Sequence, residues 1–258
     1  MKYIGEKDFR HGQRDRAGVL LVNLGTPNST EVADVRRYLA EFLSDPRIVE
    51  APRLLWKAVL HGIILRTRPR KSAEAYKEVW TDEGSPLLLE SQKITQAVAA
   101  HFEGHDIEFG LAMRYGDPSV PSMMEKMRQA GVRRLLVLPM YPQYSATTSG
   151  SVMDAIYANL LKRRWMPELR TINQFFDQDS YIEALAASVR ESWETNGRGQ
   201  KLVLSYHGVP KRYLVNGDPY HCQCHKTSRL LADKLGISSD DYMTVFQSRF
   251  GREEWLQP

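Results

Sequence analysis

Two short apolar segments, GVLLVNL at residues 18–24 and RLLVLPM at residues 134–140, decide the fold class of this chain. Continuous runs of Val and Leu are typical of strands buried on both faces, as in parallel sheets. Helical patterns alternate with these and four further strand-like segments, which predicts an α/β fold with parallel sheets built from βαβ units. The predicted strands are 18–24, 107–113, 134–140, 169–175, 201–206 and 242–247, and the predicted helices are 31–43, 52–65, 86–101, 120–130, 151–163, 179–193 and about 227–235.

The length fits one large α/β unit or two smaller ones, and the composition is that of an ordinary globular protein. Of the 258 residues, 42% are hydrophobic and 26% are charged, which excludes disordered, collagenous and coiled-coil proteins. The Ser/Thr-rich loop Ser145–Ser151 predicts the boundary between a first domain over 1–150 and a second over 151–258. Because three strands fall in each half and nothing follows Pro258 to close the second sheet, we expect a truncated form of a longer chain.

Charge and cysteine content exclude several classes of function. A net charge of +4 is too small to indicate a nucleic-acid-binding protein. Cys222 and Cys224 are too close in sequence to form a disulfide. Residues 1–16 contain no apolar signal region, and the longest apolar stretch, Leu54–Leu65, is too short to span a bilayer. We therefore expect a cytoplasmic protein.

Polar and aromatic side chains follow five of the predicted strands. Because the carboxyl ends of parallel strands gather at one edge of a sheet, these side chains predict a ligand cleft there. Neither of the glycine-rich phosphate loops, G-x-G-x-x-G and G-x-x-x-x-G-K-[ST], occurs, so a nucleotide ligand is not expected. The segments are NLGTP at 23–27, MRYG at 113–116, MYPQYS at 140–145, SYHGVP at 205–210 and QSRF at 247–250.

His207 is the only histidine in these segments and the strongest candidate for catalysis. A histidine at the end of a strand can simply hydrogen-bond neighbouring backbone. Here Gly208 and Pro210 turn the chain sharply at the mouth of the predicted cleft. This context favours a neutral imidazole that accepts a proton or binds a metal.

The other polar residues of these segments have two interpretations each. Arg114 and Tyr115 are either ligand contacts or an ion-paired arginine beside a core tyrosine, and Tyr141 is either a ligand contact or a packed ring. The loop 145–151 either caps the helix that follows it or binds an anionic group at the N-terminus of that helix.

The segment His221-Cys222-Gln223-Cys224-His225 contains four potential metal ligands. On a helix, His221 and His225 would share a face and could bind one metal ion. No second ligand pair occurs elsewhere, and two cysteines are too few for an iron–sulfur cluster. The sequence therefore favours a solvent-facing segment without a metal.

The stretch Leu54–Leu65 runs into a basic segment that ends at Lys71. It is either a helix packed on the core with a solvated end, or a lip that contacts an anionic membrane or an apolar ligand bearing carboxylates.

Six segments in register resemble the ferrochelatase family, whose members insert ferrous iron into a porphyrin in the last step of haem synthesis. The resemblance covers about residues 18–258, and although no single motif is decisive, six in family order are highly specific. It implies two Rossmann-like domains, protoporphyrin IX and ferrous iron as substrates, and no tightly bound cofactor. The segments are LVNLGTP at 21–27, MRYG at 113–116, YPQYS at 141–145, SYHGVP at 205–210, GDPY at 217–220 and FQSRFG at 246–251 running into Trp255-Leu256.

The resemblance also implies roles for single residues. His207 matches the family's active-site histidine, which takes pyrrole protons or ligates the incoming metal. The segment 54–71 matches a lip over the pocket mouth, which in some members rests on the membrane. The residues implied to bind the porphyrin are Leu24, Arg114, Tyr115 and Trp255, and those implied to be catalytic are His207 and Tyr141, with His207 also the implied metal ligand.

The sequence departs from the family pattern in one respect. In the family the acidic partner of the histidine lies beyond the Trp255 motif, and Glu253 and Glu254 do not match it. Two other hypotheses follow. The chain could be a tetrapyrrole or metal carrier without turnover, or a different two-domain α/β enzyme such as a glycosyl transferase, which would need a nucleotide-phosphate loop.

Overall fold

The computed structural model describes residues 3–6, 9–248 and 253–258, and the chain divides into two compact units. The first unit comprises Met1–Met140 and Thr147–Asn173, and the second comprises Tyr141–Ala146 and Gln174–Pro258. Arg249, Phe250 and Gly251, which belong to the last predicted motif, lie outside the described residues.

The first unit is built on a four-stranded parallel sheet with the strand order β2-β1-β3-β4. Its central strand β1 buries Leu20, Leu21 and Val22 almost completely, which explains the uninterrupted apolar run in the sequence. The strands are β1 (Arg16–Thr26), β2 (Ile107–Gly116), β3 (Val132–Pro139) and β4 (Glu168–Thr171). The helices are α1 (Val32–Ser44), α2 (Arg53–Val59), α3 (Leu65–Val79), α4 (Pro86–Ala100), α5 (Val120–Gln129) and α6 (Ser151–Leu160).

Strand β4 lies in the first sheet, whereas the sequence analysis placed it in the second domain. Leu169 is in register with Leu135, and the N–H of Ile172 donates to the carbonyl oxygen of Val137 at 3.1 Å. Residues 151–173 therefore belong to the first unit, and the sheets contain four and two described strands instead of three each.

The second unit contains two parallel strands, β5 (Leu202–His207) and β6 (Tyr242–Gln247), with helices α7 (Asp179–Asn196), α8 (Lys211–Val215) and α9 (Tyr220–Leu235). Cys224 of α9 packs with Phe246 and Leu256 in the core of this unit. The prediction of an α/β fold with parallel sheets is confirmed.

Helix α9 begins at Tyr220, well before the predicted start near Thr227. The early part of its buried face is polar, since Gln223, Thr227 and Ser228 are all buried. Apolar periodicity detects only apolar faces, so it could not locate this start.

A second helical segment is also longer than predicted. Helix α2, a π-helical turn at Leu60–Ile64 and α3 follow one another without a break to Val79, beyond the predicted end at residue 65. Helix α3 buries Leu65, Pro69 and Ala73 at spacings of four residues. This stripe contains one large apolar side chain, which is too little to give a helical hydrophobic pattern in the sequence. Among the described residues, no helix has the length and apolar character needed to cross a membrane.

Candidate functional site

The carboxyl ends of β1 and β2 approach each other closely at Gly25. This residue has a φ of 106° and is in register with Tyr115. A Cβ atom at position 25 would lie 1.8 Å from the carbonyl oxygen of Tyr115, so only glycine fits there. The backbone therefore requires the glycine of the NLGTP segment. This glycine lies at the carboxyl ends of β1 and β2, the sheet edge where the sequence predicts a ligand.

A cavity of about 230 Å³ opens at this edge of the first unit. Charged and polar side chains dominate its wall, and Asn28 Nδ2 donates to Asp117 there at 3.0 Å. The lining residues are Thr26, Pro27, Asn28, Asp34, Arg37, Tyr38, Glu41, Gly116, Asp117 and Ser119.

Arg114 and Tyr115, at the end of β2, converge on the buried carboxylate of Asp45. Asp45 Oδ2 accepts hydrogen bonds from Arg114 Nη2 at 2.5 Å, Tyr115 Oη at 2.7 Å and Ser151 Oγ at 2.5 Å. Its Oδ1 accepts one from the backbone N–H of Arg47 at 2.7 Å. Arg114 Nε donates to Ser151 Oγ at 2.7 Å, so the four side chains form one closed network.

This network keeps Asp45 ionised although the side chain is only 2% exposed. Burial acts to raise the pKa of Asp45, but the hydrogen bonds from Ser151, Tyr115 and the Arg47 N–H, with the charge of Arg114, lower it below its ordinary value. Burial raises the pKa of the Tyr115 hydroxyl, which therefore acts as a neutral donor. The network is thus an ion pair between Arg114 and Asp45, whose carboxylate also accepts hydrogen bonds from the Tyr115 phenol and the Ser151 hydroxyl.

The two predicted contacts in β2 differ in exposure. The Tyr115 residue is 1% exposed and its hydroxyl is engaged by Asp45 and Ser151, so in this structure it offers no surface to a ligand. The Arg114 side chain is 16% exposed, and its contacts among the described residues use Nε and Nη2. The two N–H groups of Arg114 Nη1 lie outside the network. Leu24 is half-buried and lies in β1 between the buried residues Val22 and Gly25.

In the second unit, His207 is the last residue of β5 and is exposed. Its Nδ1 lies 2.7 Å from the carbonyl oxygen of Gly208, a contact that places the ring proton on Nδ1. A neutral ring bonded in this way has its lone pair on Nε2, where a proton or a metal ion can bind.

The chain after His207 is held by residues 254–256. The N–H of Lys211 donates to the carbonyl of Glu254 at 2.8 Å, and the N–H of Leu256 donates to the carbonyl of Val209 at 3.0 Å. Trp255 is 9% exposed, and its ring would lie 3.4 Å from a Cβ at position 208. Trp255, predicted as a porphyrin contact, therefore packs against the turn that follows the histidine.

The segment Tyr141–Ala146 also belongs to the second unit, where Tyr141 is half-buried. Asp218 Oδ2 accepts hydrogen bonds from Ser145 Oγ at 2.9 Å and from the N–H of Ala146 at 2.7 Å. Gln143 Nε2 donates to Thr227 Oγ1 at 3.0 Å. The anionic group at the start of the Ser/Thr loop is therefore a carboxylate of the GDPY motif.

Two carboxylates organise these clusters, Asp45 and Asp218, and neither was predicted from the sequence. Asp218 lies within the quoted GDPY motif, and that motif was the available signal for it. Asp45 precedes Pro46 in an unremarkable polar segment, and its side-chain partners lie 69–106 residues away in sequence, so no local pattern could identify it. Among the described residues, no group of three or more His, Cys, Asp or Glu side chains is arranged to hold a metal ion.

Comparison with known proteins identifies relatives along the whole chain. The sequence model of the family described as Ferrochelatase matches residues 16–258. The chain is 56% identical over 262 residues to the ferrochelatase of Marinobacter nauticus, with 100% of this chain and 70% of that protein covered. It is 57% identical over 261 residues to the ferrochelatase of Idiomarina loihiensis, with 100% and 72% covered. For the ferrochelatase of Nitrosococcus oceani the identity is 52% over 260 residues, with 100% and 71% covered.

Proposed function

This chain belongs to the ferrochelatase family, the enzymes that insert ferrous iron into protoporphyrin IX to form haem, and we propose how its residues serve that reaction. Insertion replaces the two pyrrole N–H protons of the porphyrin by one Fe²⁺, so the protein must accept two protons and bring a cation to the four ring nitrogens. One imidazole with a free lone pair can accept these protons or hold the cation.

His207 is the residue we assign to this step. The observation that supports the assignment is its exposed position at the end of β5, with Nδ1 engaged by the Gly208 carbonyl and Nε2 free. As a base, Nε2 would accept a pyrrole proton and pass it to water, since the ring is exposed. As a ligand, the same atom would hold Fe²⁺ before transfer. Tyr141, from the segment that packs in the same unit, is proposed as a second catalytic group.

In the first unit, Arg114 and Leu24 are the proposed porphyrin contacts. A guanidinium is suited to a porphyrin carboxylate, and Nη1 of Arg114 is the donor position left for it. Leu24 would offer apolar contact to the ring. Tyr115 and Trp255 are proposed to act as positioning residues, because the first holds the network of Arg114 and the second packs on the turn after His207.

The test is a fluorescence assay for the formation of zinc protoporphyrin by this chain. For His207→Ala we expect insertion at least about 100-fold slower, the scale of a lost general base, with porphyrin binding within a few-fold of the parent. His105→Ala, which changes an exposed histidine of the first unit, should behave as the parent protein. An equal loss of porphyrin binding in His207→Ala would refute the catalytic assignment.

The same assay separates an enzyme from a carrier. A carrier for tetrapyrrole or metal would bind porphyrin, detected by absorbance, without insertion above the uncatalysed rate. Rescue of His207→Ala by a series of added imidazoles would separate the two roles of the ring. If the ring accepts protons, the rescued rate of insertion should follow the basicity of the added compound.

We further propose that the segment Leu54–Lys71 contacts an anionic membrane surface. Leu54 and Leu55 are 86% and 64% exposed and Ile63 is 59% exposed, an unusual group of large apolar side chains beside basic residues. The double variant Leu54→Ser/Leu55→Ser should lose co-sedimentation with phosphatidylglycerol vesicles. Val215→Ser, which changes an equally exposed apolar residue of the second unit, should not. Unchanged sedimentation of the double variant would contradict the proposal.

A further inference from the structure

Helix α9 carries two imidazole rings on one face, one turn apart. The Nε2 atoms of His221 and His225 are 3.2 Å from each other, and the ring centroids are 4.5 Å apart. The carbonyl oxygen of Gln257 lies 3.2 Å from Nε2 of His221. His221 Nε2 therefore has a second imidazole nitrogen and a carbonyl oxygen beside it, each at 3.2 Å.

The spacing of the two nitrogens fits a chelated cation. With metal–nitrogen distances of about 2.0–2.1 Å, two nitrogens 3.2 Å apart subtend an angle of roughly 99–106° at the metal. This range is close to the tetrahedral angle. The rings would need only small adjustments to bind a metal ion in place of the contact that they make with each other.

The packing of the rings holds them near this arrangement. The His221 ring stacks on Phe246, with centroids 5.2 Å apart and an interplanar angle of 25°, and the His225 ring lies 5.9 Å from the same ring. Both histidines are half-buried, so each loses little side-chain freedom on binding, while water can still reach the site.

The position of Phe246 separates this pair from His207. Phe246 is in register with Tyr206, and the two rings lie 6.1 Å apart on one face of the second sheet. Because successive side chains of a strand point to opposite faces, the side chain of His207 follows on the other face. The histidine pair is therefore a different site from the one assigned to iron insertion.

From this geometry we propose that His221 and His225, assisted by the Gln257 carbonyl, bind one divalent transition-metal cation of the Zn²⁺ class, with water completing the shell. Imidazole nitrogen selects such cations over Mg²⁺ and Ca²⁺, which prefer oxygen. With two protein nitrogens the affinity is expected to lie below that of a closed structural zinc site. The site does not depend on the proposed iron insertion.

The charges around the histidine pair provide a second test of this proposal. Lys226 is neutralised by Asp177 at 2.6 Å, but Arg229, one turn beyond His225, acts electrostatically on that ring. A positive charge there opposes a bound cation. Arg229→Gln should therefore tighten zinc binding by a few-fold, whereas a change of Arg229 should leave iron insertion at the level of the parent.

The experiment is a competition titration of Zn²⁺ between the full chain and a chromophoric chelator. The parent should bind one equivalent of Zn²⁺ that His225→Gln and His221→Gln both lose, with unchanged circular dichroism to show that the helix is intact. His105→Gln and His207→Ala should keep that equivalent. Co²⁺ bound to the parent should show visible absorption typical of tetrahedral coordination, and this absorption should disappear in His225→Gln.

Two outcomes would overturn the proposal. If both glutamine variants retain the zinc stoichiometry of the parent, the pair is not the site. If Cys222→Ser abolishes binding while His225→Gln retains it, the exposed thiol beside the pair is the ligand instead. Because zinc binding is measured without porphyrin, its failure is distinguishable from a failure of the insertion reaction.

Discussion

Replacing Asp45 by Asn tests whether one buried carboxylate supports the end of β2. The substitution preserves shape but removes the charge and turns one oxygen into a donor. Oδ2 accepts from Arg114, Tyr115 and Ser151, so an amide nitrogen in its place would face three donors. If the amide rotates to avoid this, the N–H of Arg47 loses its acceptor instead.

The magnitude follows from burial. Asp45 is 2% exposed and Arg114 is 16% exposed, so the variant leaves a guanidinium charge largely out of water without its partner. Breaking such a pair costs about 3–5 kcal/mol, and because the arginine retains some solvent we expect the lower end, about 3 kcal/mol. For a chain of this size that lowers the midpoint of thermal unfolding by roughly 6–12 °C.

The assay is urea unfolding followed by circular dichroism, combined with a double-mutant cycle. The Arg114→Met variant leaves the Asp45 charge unpaired and Asp45→Asn then removes it, so the second substitution should cost about 1–3 kcal/mol less in that background. Asp34→Asn is the matched control, because Asp34 pairs with the exposed Arg37, and it should change the free energy of unfolding by less than about 1 kcal/mol. Additive effects in the cycle, or a cost for Asp45→Asn no larger than for Asp34→Asn, would refute the reasoning.

The difference in the free energy of unfolding between the parent and Asp45→Asn depends on pH in a definite direction. The network lowers the pKa of Asp45 in the folded state, so its contribution is fully present above the unfolded pKa of about 3.9. It is lost as the pH falls through the lower, folded value. The free-energy difference between the parent and Asp45→Asn should therefore be constant near neutral pH and shrink below about pH 4.

Two further predictions follow from single positions. Gly25→Ala should destabilise the first unit by at least about 3 kcal/mol in urea unfolding, because the new Cβ would meet the Tyr115 carbonyl. Gly217 has a φ of 92° with open space around it, so Gly217→Ala should cost only about 1 kcal/mol. Equal costs for the two variants would contradict the steric argument. Iodoacetamide at pH 8 should label the exposed Cys222 and spare Cys224, because burial raises the pKa of the Cys224 thiol to about 12. In urea both thiols should be labelled. Labelling of both thiols in the native protein would disprove the prediction.

The sequence predicts what depends on local pattern. The run Val19–Val22 predicted a strand buried on both faces, and β1 is an inner strand of the first sheet. The position of β4 could not be predicted, because a strand of four residues in which only Leu169 is partly buried does not specify which sheet it joins. The start of α9 was missed because its buried face begins with polar side chains, whose partners are known only once the fold is known.

The MRYG segment illustrates why a motif and a site are different things. Sequence similarity gives Arg114 and Tyr115 one joint role, yet the structure separates them by exposure. Both donate to the same oxygen of Asp45, and the guanidinium lies over the tyrosine ring at 4.4 Å. A flexible arginine loses side-chain entropy when it binds an anion, whereas this one has already lost it on folding. Asp45 thus orders the side chain of Arg114, as the proposed porphyrin contact requires, and the motif alone could not reveal that.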